Sequence, residues 1–99
     1  MQIISVRDKR IKALVENPKL TSVKGLDALE TRKIVEMIAA IRVMTNPLQL
    51  MAQPTWRAHT MHHEDPNMWS LTVTRNWRLT FIVDQDRQQV SVLDYTDPH

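Results

Sequence analysis

Hydrophobic residues in the second half of the chain recur at every other position. Trp69, Leu71 and Val73 share one side of an extended segment and Ser70, Thr72 and Thr74 the other, the period of a strand with one buried face. After Arg75-Asn76 the alternation resumes, with Trp77, Leu79, Phe81 and Val83 pointing one way and Arg78, Thr80 and Ile82 the other. Two such runs joined by two residues predict a β-hairpin. Residues 56–61 predict a strand before it. Residues 88–94, with Val90 and Val92 on one side, predict another after the polar turn 84–87. The four runs make an antiparallel sheet.

The first half follows a different period. Residues 2–6 are apolar and β-branched and predict a short edge strand. Ser5, with Asp8 three residues later, resembles a capping box and opens a predicted helix over 7–16 with Ile11, Leu14 and Val15 inward. Asn17-Pro18 ends it, because proline disfavours helical dihedrals in the residue before it. Asp27 with Glu30 is a second cap signal. From there Ile34, Met37, Ile38, Ile41 and Met44 recur at three- and four-residue intervals, while Arg32, Lys33, Glu36 and Arg42 take the other face. Asn46-Pro47 stops this helix. The order predicts an α+β fold: two N-terminal helices on one face of a small, mainly antiparallel sheet of four to five strands, covering Trp69, Leu71, Leu79 and Phe81.

Composition narrows the picture. Ninety-nine residues predict one domain over 1–99, and 42% hydrophobic with 24% charged residues is globular rather than disordered composition. No apolar run approaches the roughly 20 residues of a membrane span, and no signal-peptide pattern follows Met1, so a cytoplasmic location is expected. With no cysteine, disulfides and thiolate sites are excluded. Net charge is +2, unevenly spread: residues 1–58 hold ten Lys/Arg against five Asp/Glu, and residues 59–99 hold three against six together with all four histidines. A basic half suits contact with phosphates. Solvated helices rich in lysine account for it equally well.

Familiar catalytic patterns are missing: no glycine-rich phosphate loop, no His-Glu-x-x-His, and no nucleophile elbow around Ser70 or Ser91. The histidines stand out instead. His59, His62 and His63 precede a polar loop, Glu64-Asp65-Pro66-Asn67. Imidazole titrates in the range useful for acid–base work. Zinc binding is disfavoured because adjacent His62 and His63 point apart on a strand, and a solvated loop without a role is the plain alternative. Arg78, flanked by Thr72 and Thr80 with His59 on the preceding strand, is a candidate anion site on the open sheet face, with Arg57 a second candidate. Either arginine could equally be structural, Arg78 as a partner for Asp94. Tyr95 could stack on a base or cap the core. Trp56, Trp69 and Trp77 read as core.

Taken together, Trp56-Arg-x-His59, Trp69-Ser-Leu-Thr-Val-Thr-Arg-Asn-Trp77-Arg78-Leu-Thr-Phe81 and Val90-Ser-Val-Leu-Asp94-Tyr95 resemble the HigB-type toxins of the RelE/ParE superfamily. The likeness covers residues 56–95; the N-terminal half agrees in element order and length. It implies a RelE-like fold and the toxin of a type II toxin–antitoxin module, a ribosome-dependent endoribonuclease that cuts mRNA without a metal or other cofactor. It also implies a helix-turn-helix antitoxin of HigA type, operator DNA bound through the antitoxin complex, and no membrane. Carried over residue by residue, His59 becomes base or acid, Arg78 the charge stabiliser, Asp94 and Tyr95 the C-terminal contributors and His62 a titratable group. Arg57, Arg75 and His99 become nucleic-acid contacts. Two departures stand out. His62-His63 replaces the family's Lys-Gly, and its terminal Asp-Tyr-His aligns either with Asp94-Tyr95-Thr96 or with Asp97-Pro98-His99, each lacking one group. A ParE-like gyrase poison, a toxin homologue without nuclease activity and a plain nucleic-acid-binding module are the alternatives.

Overall fold

A computed structural model describes residues 1–61 and 63–97. It shows the expected α+β architecture. Strand β1 (Gln2–Ile3) is followed by helices α1 (Lys9–Glu16) and α2 (Ala28–Val43), two 3-10 turns (Pro47–Ala52 and Pro54–Trp56), and strands β2 (His59–Thr60), β3 (Met68–Thr72), β4 (Arg78–Asp84) and β5 (Gln89–Thr96). The sheet order is β1-β5-β4-β3-β2. All neighbours are antiparallel except β1, which runs parallel to β5. Both edge strands are two residues long.

Helix α2 begins at the capping box that the sequence announces: the Asp27 carboxylate accepts from Glu30 N–H at 2.7 Å and Glu30 accepts from Asp27 N–H at 3.1 Å. Its stripe of Ile34, Met37, Ile38 and Ile41 is buried, joining Ile11 and Leu14 of α1 against Leu71, Leu79, Phe81, Val90 and Leu93 of the sheet. Burying side chains of this size contributes roughly 1.5–3 kcal/mol each. The helices therefore occupy one face only, and the opposite face is left for the strands' polar residues.

Four expectations change. The cap of α1 is Asp8, which accepts from Arg10 and Ile11 N–H, so the helix opens at Lys9 and Ser5 is released for another task. Trp56 is buried in a 3-10 turn rather than a strand, because Pro54 sets the turn's first residue and Arg57 turns left-handed after it (φ 48°). The hairpin connection is five residues, 73–77, between paired Thr72 and Arg78, instead of two. Lacking a glycine for a tight primed turn, it closes through Val73 and Thr74 N–H donating to the Trp77 carbonyl.

The fourth change is a β-bulge. Thr80 pairs with Asp94 but Ile82 pairs with Ser91, so β5 carries one extra residue opposite Phe81. That residue is Val92, held at φ 52°, a region where a β-branched side chain is an outlier. The bulge reverses the inward–outward alternation: Val90 faces the core, Val92 does not, and Leu93 and Tyr95 take the buried positions. Ser5 braces it, its Oγ accepting from Val92 N–H at 2.8 Å and its carbonyl from Leu93 N–H at 3.1 Å.

Candidate active site

Register decides which side chains meet. Directly paired residues lie on the same face of a sheet. His59 on β2 pairs with Ser70 on β3, Ser70 with Thr80 on β4, and Thr80 with Asp94 on β5. One residue pair along, Thr72, Arg78 and Thr96 form a parallel row on that face. His59, Arg78 and Asp94 therefore share the face that the helices leave uncovered. His59 and Asp94 end a row three strand spacings wide, roughly 14 Å, whose two middle members, Ser70 and Thr80, are buried.

His59 is exposed, and its Nδ1 lies 2.7 Å from the Arg57 carbonyl. A carbonyl only accepts, so Nδ1 carries the proton of this bond, and Nε2 is the ring nitrogen left for another partner. The left-handed turn at Arg57 aims that carbonyl. Arg57 itself is exposed beside this strand, and its backbone orients the imidazole.

Arg78 is half-buried and partly structural. Its Nη1 donates to the carbonyls of Thr74, Arg75 and Trp77 at 3.0–3.2 Å, clamping the 73–77 turn. The three N–H groups of Nε and Nη2 remain for a ligand. Arg75 is exposed at the tip of that turn. Asp94 is not the partner of Arg78: its Oδ1 accepts from Tyr95 N–H at 2.9 Å, and its Oδ2 faces Arg7 Nη1 at 3.9 Å.

Tyr95 falls on the other face, and the site expected from the sequence loses it. Leu79 is its cross-strand neighbour, and it is only 3% exposed. Its ring stacks on Trp77 at 4.9 Å, and its hydroxyl donates to Glu30 at 2.5 Å. The Arg10 guanidinium lies over both rings at 5.2–5.3 Å and is held by Asp8 at 2.7 Å. Burial pushes the Tyr95 hydroxyl above its usual range, and the bond to Glu30 adds to it. This is a packing role that joins β5 to the start of α2. His62 and His99 lie outside the described residues. His63 is exposed.

Beside Asp94 the same face deepens into a cleft of about 310 Å³, lined by Thr80, Asp94 and Thr96 from the sheet together with Arg7 and Glu64. Sequence reasoning did not single out Arg7, Glu64 or Thr96. Arg7 arrives only because the segment after β1 stays in register with β5, its N–H donating to the Leu93 carbonyl at 2.8 Å, and parallel edge pairing leaves no local signature. Among the described residues, no three His, Asp or Glu side chains converge as metal ligands would. No helix among the described residues is long and apolar enough to cross a membrane. The sequence matches no protein-family model, and no curated protein matches it either.

Proposed function

We propose that this protein is a ribosome-dependent endoribonuclease of the HigB/RelE toxin kind, cutting RNA by activating a ribose 2′-hydroxyl against the adjacent phosphate. The observation that carries this reading is the placement of His59, Arg78 and Asp94 on the one sheet face that no helix covers. A row of this width, with a base at one end and a cation–carboxylate cleft at the other, suits adjacent nucleotides of an extended strand better than a small metabolite.

The chemistry follows from the groups. Nε2 of His59 takes the proton of the 2′-hydroxyl, whose oxygen bonds to phosphorus. The P–O5′ bond breaks, the 5′-oxygen takes a proton from solvent, and a 2′,3′-cyclic phosphate remains. Charge building on the phosphoryl oxygens is met by the free N–H groups of Arg78, which are fixed in advance because Nη1 is tied to the turn. Arg57 and Arg75 flank this region as phosphate contacts, and Tyr95 supports the strand from behind. Such an activity must be restrained in its host. The expected partner is a helix-turn-helix antitoxin of HigA type, encoded beside it and carrying the complex to operator DNA.

The test is incubation of the purified chain with ribosomes carrying a defined mRNA, followed by primer extension and end-group analysis. Discrete cuts with cyclic-phosphate ends are expected. Intact transcripts from actively translating ribosomes would overturn the reading, and a DNA-damage response on induction would transfer it to the gyrase-poison alternative.

A further inference from the structure

We infer that the cleft between Arg7 and Glu64 is a nucleotide subsite that holds an amino-bearing base against its carboxylates and a phosphate against Arg7. The inference rests on the ribonuclease reading above and names what part of the RNA occupies the far end of the row from His59.

The lining selects the ligand by elimination. A free phosphate would meet two carboxylates, Asp94 and Glu64, and a metal cation would meet Arg7. A ligand joining a donor edge to an anion satisfies both. Asp94 is fixed by the Tyr95 N–H on Oδ1. Its Oδ2 stands 3.9 Å from Arg7, beyond hydrogen-bond range, so both groups keep capacity for a third partner. Carboxylates only accept. Cytosine, adenine and guanine each offer an exocyclic amino group, whereas the N–H on the pairing edge of uracil sits between two carbonyls that would face those carboxylates. Met61 and Met68 supply polarizable apolar walls for the faces of a base. A volume of about 310 Å³ admits one nucleotide. The floor is shaped by the bulge, since Val92 lines the cleft and Asp94 reaches it through the same reversal of alternation.

The experiment is a titration of the isotope-labelled chain with GMP, AMP, CMP and UMP, followed by amide chemical shifts. The three amino-bearing nucleotides are expected to bind at least about tenfold tighter than UMP, with shifts at Arg7, Thr80, Val92 and Asp94. Glu64→Gln should reduce that preference to less than about threefold, and Arg7→Ala should weaken the nucleotides while leaving nucleosides unaffected. Equal affinity for all four nucleotides, or shifts elsewhere on the molecule, would overturn the assignment. Transcript cleavage by Glu64→Gln at unchanged positions would overturn the subsite and leave the nuclease standing. Selective nucleotide binding by a chain that cleaves no transcript would do the reverse.

Discussion

In the proposed reaction His59 would act as the base through one nitrogen only, because the Arg57 carbonyl engages Nδ1. Replacing it with glutamine keeps polarity and volume but removes the titrating lone pair, so His59→Gln should lower cleavage by a factor on the order of 10²–10⁴. Because the side chain is exposed, stability should stay within about 0.5 kcal/mol of the parent. Arg78 behaves differently. Three carbonyls of the 73–77 turn accept from it, so Arg78→Ala should abolish cleavage and also cost about 1–2 kcal/mol, a drop of several degrees in a domain of this size. Arg78→Lys separates the two roles: a single ammonium can hold part of the turn but cannot also reproduce the planar fork. Calorimetry beside the cleavage assay should find that variant closer to the parent in stability than in activity.

At the scale of elements, β5 matters most. A left-handed Val92 is strained by roughly 1–2 kcal/mol, so Val92→Gly should be nearly neutral in urea unfolding even though glycine ordinarily weakens a strand. Val90→Ala, at a fully buried position on the same strand, should cost about 2 kcal/mol. Period-two reading located β3 and β4 because Trp69, Leu71, Leu79, Phe81 and Val83 alternate onto the buried side, with Met68 and Ile82 the apolar exceptions on the other face. It failed on β5 because nothing local marks a bulge built on valine rather than glycine. Ser5 was legible only as a cap, since its actual partner lies 87 residues away. The stripe and cap of α2 were legible because both are local; the bond from Tyr95 to Glu30, 65 residues apart, was not. The burial of the Tyr95 hydroxyl, with its bond to Glu30, has a pH signature. The hydroxyl titrates higher in the fold than in the unfolded chain, whose tyrosine ionises near 10. Its contribution is complete below that value and is lost as pH rises past it. Urea midpoints should therefore fall between about pH 9 and 11, and less so in Tyr95→Phe.

For the whole molecule, charge is arranged rather than abundant. Residues 1–58 carry +5 and residues 59–99 carry −3, and in the proposed complex Arg7, Arg57, Arg75 and Arg78 are the phosphate contacts. If all four meet phosphates, binding of single-stranded RNA should fall with log salt at a slope of about −3. Fluorescence anisotropy between 50 and 300 mM KCl would measure it, and a flat response would remove the phosphate contacts. The fold class and the layer of helices were readable from periodicity, whereas the position of the cleft depends on which strands become neighbours. The sheet also ends abruptly on both flanks, with β1 and β2 only two residues long. A flank so brief offers little backbone for a stranger's strand to zip onto, so concentrated solutions of this chain should resist fibril growth, and a protein that docks on it would have to grip side chains instead of extending its ribbon.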